Sequence, residues 1–419
     1  MRYVKRIVEE ELRRKLQASG AVLVRGPKYC GKTQMALRFA NSTLHVDQDP
    51  QIEDIMTVEP ARLLRGDTPR LLDEWQEQPK LWTYVRHEID RRGSKGQFIL
   101  TGSSTPTEAT TMHSGAGRFT IVDMRTMSWQ ELTLSTGAVS LAHLIAPGVS
   151  ATIPSSDSLG LEEIIDRIIR GGWPGIIDVA TSAVIETNRA YIDLLADVDM
   201  SRSTGVKRES DKVRKLLRSL ARNTGTLVDV ATLERDIEEK EPGDISRPTI
   251  TSYLEGLHQL MVIEDQPAWD THIRSSASLR KAPKRHFTDV SLAVAALGAD
   301  TTTLLDDIRF AGFLFESLAT HDLRVYAQAC DAKVYYYRDS SGLEIDAIVQ
   351  KRNGDWAAFE IKLGPGKIDE AASNLLKLAD IIDYDRVHRP SSLNIITGTG
   401  VGYTRADGVN VIPLSELGV

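Results

Sequence analysis

The chain is poor in cysteine, with only Cys30 and Cys330 in 419 residues. Two thiols so far apart make no disulfide framework, and the expectation is a reducing, cytoplasmic setting. Long apolar runs are missing as well. None approaches the roughly 20 residues needed to span a bilayer, so no membrane is expected as a partner. Residues 1–19 carry charge throughout and read as an amphipathic helix, without the apolar stretch of a secretory signal. Nor is there an excess of positive charge. With 51 Lys and Arg against 58 Asp and Glu the net charge is -7, so any nucleic-acid surface has to be local. Internal repeats and low-complexity tracts are not evident. What is present, 41% hydrophobic and 26% charged residues, suits a folded chain with two or three cores.

Short apolar runs at 21–25, 43–47, 71–72, 97–101 and 119–123 alternate with helical patterns such as 32–41 and 80–91. Strands alternating with helices predict an α/β fold with a parallel sheet covered on both faces. Residues 136–160 are small, polar and turn-rich and read as a linker or long surface loop, followed by a helical block over 161–222. The expected organisation is a first core over 1–135, a linker and helical lid over 136–200, a middle helical unit over 201–283 and a C-terminal α/β domain over 284–419.

Gly26-Pro27-Lys28-Tyr29-Cys30-Gly31-Lys32-Thr33 fits G-x-x-x-x-G-K-[ST] between an apolar strand and a helix, with Gln34 following. Glycines let the backbone wrap so that its N–H groups face a β-phosphate. Lys32 brings positive charge to the β- and γ-phosphates, and the Thr33 hydroxyl ligates Mg²⁺. ATP and Mg²⁺ are therefore the expected cofactors of a P-loop ATPase. A second strand ends in Asp73-Glu74, where Asp73 would hold the Mg²⁺ and Glu74 would orient or deprotonate the attacking water. A third ends in Thr101-Gly102-Ser103-Ser104, in which Ser103 or Ser104 would sense the γ-phosphate. Arg118, after Gly115-Ala116-Gly117, would stabilise transition-state charge from a neighbouring subunit.

These pieces, in this order, resemble the prokaryotic AAA-type ATPases that carry a C-terminal restriction-endonuclease-like domain. L-L-D-E-W-Q (71–76) looks like the family's Walker B element, T-G-S-S (101–104) like its sensor 1 segment and A-G-R-F (116–119) like its glycine-arginine element. G-G-W-P-G (171–175) resembles a signature that opens the helical region. In M-R-T-M-S-W-Q-E-L (124–132), Thr126 takes a position where the family has proline, and Trp129 supplies the aromatic. The resemblance implies a homo-oligomer, such as a hexameric ring, in which Arg118 reaches the next subunit's ATP.

In the middle unit, a short helix at 229–236, a helix at 245–257 capped by Ser246 and an apolar strand at 260–263 are the order of a winged helix. Eight Lys or Arg against two acids between Arg202 and Arg222, and a later basic run (His272, Arg274, Arg280, Lys281, Lys284, Arg285), make DNA an expected partner. At the C-terminal end, Asp346 followed by Glu360-x-Lys362 has the pattern of the PD-(D/E)xK nuclease fold. Strand alternation puts Glu360 and Lys362 on one face, a hairpin brings Asp346 alongside, and Glu316 adds a carboxylate from a helix. Such a set would hold Mg²⁺ for phosphodiester cleavage. Three readings follow: an ATPase oligomer acting on or regulated by DNA, an ATP-regulated metal-dependent nuclease, and an ATP-driven switch that docks a protein partner.

Overall fold

The computed structural model describes residues 3–103, 115–149, 152–155, 159–204, 208–238, 245–270, 282–385 and 387–419. Two compact units divide the chain. One runs to Thr126 and takes in Trp173–Gly175 and Gln259–Met261; the other comprises Met127–Gly172, Ile176–His258 and Val262–Val419.

In the first unit, α1 (Glu9–Ala18) leads into β1 (Ala21–Arg25). There follow α2 (Lys32–Leu37), β2 (Ser42–His45), α3 (Ile52–Val58), β3 (Arg70–Asp73), α4 (Leu81–Arg92), β4 (Phe98–Gly102) and β5 (Phe119–Asp123). The strands form one parallel sheet in the order β2-β3-β4-β1-β5. A parallel sheet is buried on both faces, and successive side chains alternate between them. Accordingly Ala21, Leu23, Leu72 and Leu100 join a core with Trp75, Trp82, Val85 and Ile89. Val22, Val24, Leu71, Ile99 and Val122 join another with Leu12, Leu16, Met35 and Ala36. Register aligns His45 with Asp73, Asp73 with Thr101 and Arg25 with Gly102, all at the carboxyl edge. The helix expected over 32–41 is shorter in the structure. It ends at Leu37, after which the Arg38 and Phe39 amides bond back three residues to Met35 and Ala36.

The second unit begins with β6 (Val139–Ser140) and α5 (Leu141–Leu144), then α6 (Leu161–Arg170), α7 (Thr181–Leu194), α8 (Met200–Thr204), α9 (Ser210–Arg222), α10 (Val230–Glu238) and α11 (Arg247–Gln259). An antiparallel pair, β7 (Ile263–Gln266) and β8 (Lys284–Phe287), comes next. After α12 (Val290–Leu297), α13 (Thr301–Asp306) and the long α14 (Ile308–Ala329) lie β9 (Ala332–Arg338), β10 (Glu344–Lys351), β11 (Trp356–Lys362) and α15 (Ile368–Ile381). The chain finishes with β12 (Leu393–Thr397), β13 (Tyr403–Thr404), β14 (Asn410–Pro413) and β15 (Leu417–Gly418). A mixed six-stranded sheet has the order β13-β14-β12-β11-β10-β9, and Trp356, Ala358 and Ile395 pack against Ala371, Leu375 and Leu378 of α15. Among the described residues, no helix is long and apolar enough to cross a membrane.

Several boundaries differ from the sequence expectation. The first unit ends at Thr126 rather than near 135. Ser128 and Glu131 bond reciprocally as a capping box, the Trp129 amide donates to the Asp322 carboxylate at 2.9 Å, and the Ser135 hydroxyl donates to the Leu417 carbonyl. These bonds hold 128–135 inside the second unit. The expected linker is also partly structural. β6 pairs in parallel with β15, and Leu141, Leu144 and Ile145 are buried. The expected border between 283 and 284 falls within one unit, because β8, beginning at that border, pairs with β7. The strand expected at 260–263 starts only at Ile263, since Met261 takes a left-handed turn with φ 57°. Ser246 does cap α11, its hydroxyl accepting from the Thr249 amide.

In G-G-W-P-G, Gly172 donates its amide to Asp289 at 2.8 Å. Gly171 has φ 68°, and a Cβ there would stand 2.1 Å from an Asp289 carboxylate oxygen. Glycine is required at 171 on both counts.

Candidate functional site

The loop after β1 is bent by two left-handed residues, Tyr29 with φ 69° and Gly31 with φ 99°. Alternation of hand turns successive amides toward one concavity, the geometry of an anion nest. Tyr29 is no glycine, so its conformation carries a steric cost of the kind found at ligand-binding loops. Lys28 and Tyr29 are exposed, whereas Gly26, Pro27 and Cys30 are buried. The Cys30 side chain lies in the hydrophobic core, leaving only its backbone for a ligand. Gln34 is exposed on the first turn of α2.

Arg6, which the sequence reading did not single out, holds this loop from beneath. Its buried guanidinium donates to the Cys30 carbonyl at 2.9 Å and to the carbonyls of Arg125 and Thr126 at 2.8 and 3.1 Å. Gly175 also approaches the loop: a Cβ there would lie 2.1 Å from the Tyr29 hydroxyl. Gly26 is fixed even more tightly, since its Cβ would stand 2.1 Å from the Met124 carbonyl oxygen. Backbone cannot yield as a flexible side chain does. Gly26→Ala is expected to destabilise the protein by about 1–3 kcal/mol and to abolish nucleotide binding, measured by thermal melting and calorimetry.

Lys32 is buried and folds over the loop, its ammonium donating to the carbonyls of Gly26 at 3.0 Å and Pro27 at 2.8 Å. Across the sheet edge, one Asp73 oxygen accepts from the Thr33 hydroxyl at 2.7 Å and from the Thr101 hydroxyl at 2.5 Å. The other lies 3.0 Å from His45 Nδ1. Strand register explains this convergence, because His45, Asp73 and Thr101 are successive partners on β2, β3 and β4. A hydroxyl and a carboxylate meeting beside the loop are hard oxygen donors, as Mg²⁺ requires. Thr33 and Asp73 fit that ion.

Glu74 follows in the left-handed region with φ 53°, and the Gln76 side-chain amide donates to its carboxylate. Ser103 is buried just past the end of β4, while Ser104 lies outside the described residues. The residue of T-G-S-S that meets Asp73 is Thr101. His45 was likewise missed by sequence reasoning, although its place at the end of a strand parallel to β3 is the signal that finds it. Arg118 stands elsewhere. It is partly exposed before β5, at the opposite strand end from the loop, and pairs with Asp90 through bonds of 2.9 and 3.2 Å. The structure does not bring it to Lys32 or Asp73 within the unit.

A second polar constellation lies in the other unit. Asp346 sits where the pairing of β10 with β9 shifts register between Ile345 and Ile348. One Asp346 oxygen accepts from the Ile361 amide at 2.8 Å and from Lys362 at 2.9 Å. Lys362 also donates to Glu360 at 2.5 Å, as alternation on β11 predicts. Glu316, on α14, meets not these residues' lysine but Lys284, at 2.8 Å. Burial pushes the Glu360 and Glu316 carboxyls up, with Asp346 adding to it. Burial acts on Asp346 in the same sense, but Lys362 and Lys284 outweigh it and hold that carboxyl below its usual range. Lys284 was expected in a basic surface run; it is 2% exposed.

Comparison with known proteins finds matches in both units. Residues 18–133, most of the first unit, match the model of the AAA domain family. Two further stretches match families described only as domains of unknown function, DUF8612 over 161–303 and DUF4143 over 311–417. The chain is 25% identical over 362 residues to the uncharacterized proteins Rv2008c of Mycobacterium tuberculosis and Mb2031c of Mycobacterium bovis, covering 84% of this chain and 72% of each. Among solved structures, it is similar to a Walker-type ATPase of Pyrococcus abyssi, with TM-score 0.42 and 13% identity over 69% of this chain and 94% of that one.

Proposed function

We propose that the chain binds ATP with Mg²⁺ on the loop from Gly26 to Gln34, hydrolyses it, and uses the cycle to switch an oligomer. The observation that carries this reading is the 2.7 Å bond between Thr33 and Asp73, which sets two oxygen donors beside the phosphate loop. Lys32 would exchange the Gly26 and Pro27 carbonyls for phosphate oxygens. Thr33 and Asp73 would hold Mg²⁺, which neutralises charge on the β- and γ-phosphates when bound. Thr101 and His45 orient the Asp73 carboxylate, and Glu74 accepts the proton of the attacking water.

Arg118 lies at the opposite end of the strands from its own loop, and its partly exposed side chain suits action on a neighbouring copy. Arg118→Ala is expected to lower turnover by roughly 10³-fold and to leave ATP affinity unchanged. The wild-type rate per chain should rise with protein concentration as the oligomer forms. Full turnover in the variant, or a rate per chain independent of concentration, would overturn the trans role.

Between a DNA-directed motor and a switch that docks protein, ion pairing favours the switch. The basic helix α9 is largely neutralised from within: Arg214 pairs with Asp193 and Asp197, Arg222 with Asp236, and Lys212 with Glu209. Arg247, at the start of α11, pairs with Glu234. In the later run Lys284 is internal, Arg285 pairs with Asp265, and His272, Arg274, Arg280 and Lys281 lie outside the described residues. Cations already paired release few phosphate counterions. Turnover measured at low salt with and without duplex and forked DNA tests the choice, and strong stimulation by DNA would reverse it.

A further inference from the structure

We infer that Lys284 is the resident cation of the carboxylate cluster in the second unit, standing in place of the divalent metal that a PD-(D/E)xK site would carry. Four carboxylates reach the cluster, Glu316 from α14, Glu344 and Asp346 from β10 and Glu360 from β11. Buried acids demand a counter-charge, and here the protein supplies it. The Lys284 ammonium lies 2.8 Å from Glu316, 2.8 Å from Glu344 and 3.7 Å from Asp346. Lys362 takes the remaining contacts to Asp346 and Glu360.

The chemistry of the donor set separates the two cations. An ammonium is a compact charge with three donors, and three carboxylates surround this one. Mg²⁺ needs near-octahedral oxygens at about 2.0–2.1 Å. Asp346 cannot turn freely to provide one, because an oxygen is committed to the Ile361 amide and Lys362. Among the described residues no group of three or more His, Cys, Asp or Glu is disposed to hold a metal ion. Burial opposes the charge of Lys284, but Glu316, Asp346 and Glu344 outweigh it and hold the ammonium above its ordinary range.

The lysine is placed by its strand rather than by a loose surface chain. Gln266, the register partner of Lys284 on β7, donates its amide to the carbonyls of Asp346 and Tyr335, both at 2.9 Å. His286 bridges Gln266 and Ser317 at 3.0 Å each. The β7–β8 pair is thereby pinned to α14 and β10 with Lys284 as its charged bolt. This constellation fastens the β7–β8 pair to α14 and the mixed sheet and performs no metal-dependent cleavage, which replaces the nuclease expectation for Glu316, Asp346, Glu360 and Lys362.

The test is Mn²⁺ binding to the full chain without nucleotide, followed by electron paramagnetic resonance, for wild type and Asp346→Asn. Superimposable titrations are expected, since wild type has no metal held by Asp346. A tenfold or greater weakening of Mn²⁺ binding in Asp346→Asn would overturn the proposal. Lys284→Met supplies a second arm: loss of the internal cation should lower the melting temperature by several degrees whether or not Mn²⁺ is present, and a wild-type melting temperature would overturn the role of Lys284.

Discussion

Replacing Lys32 with alanine is expected to reduce ATP turnover to background, a loss on the order of 10²–10³-fold or more for one transition-state donor. Two roles of the side chain are lost together. The ammonium spans the loop to the Gly26 and Pro27 carbonyls, and it is the one buried cation of the phosphate loop among the described residues. Its removal takes positive charge from the β- and γ-phosphates and leaves the two carbonyls without that donor. ATP affinity should therefore fall along with turnover, and stability should drop by about 1.5–3 kcal/mol, the range for hydrogen bonds to a charged group. Steady-state phosphate release and thermal melting give both numbers. Undiminished release would refute the assignment of the site.

Glu74→Gln should separate what Lys32→Ala merges. The glutamine keeps the shape of the side chain and can stay beside Gln76, but it no longer takes a proton from water. Turnover is expected to fall by about 10²–10⁴-fold, the usual contribution of a general base. ATP binding should persist, because Lys32, Thr33 and Asp73 are untouched and the left-handed backbone at position 74 is unchanged in kind. Single-turnover kinetics beside equilibrium binding will show the split. If binding is lost with turnover, Glu74 is holding the loop rather than serving the water.

The first unit was readable in the chain because buried parallel strands are continuous apolar runs bounded by turns. A-V-L-V-R and F-T-I-V-D coincide with β1 and β5. The loop motif was equally plain, since its glycines and lysine lie within eight positions. Pairing between distant strands left no such trace. His45 and Thr101 meet Asp73 only through register, which leaves the nearby serines 103 and 104 as the candidates visible along the chain. Val139 and Ser140 looked like linker because their partners, Leu417 and Gly418, close the chain at its other end. Lys284 looked like surface because its sequence neighbours are basic, whereas its setting is made by acids on α14 and β10. Local composition reports a residue's neighbours along the chain, and burial of charge is decided by neighbours across it.

On the proposed function, residues 26–34 form a nucleotide site. Calorimetric titration of the full chain with ATP and Mg²⁺ tests it most directly. One nucleotide per chain is expected for wild type, with affinity strongly reduced in Lys32→Ala. Absence of binding heat with wild type, confirmed by equilibrium dialysis with labelled ATP, would contradict the account.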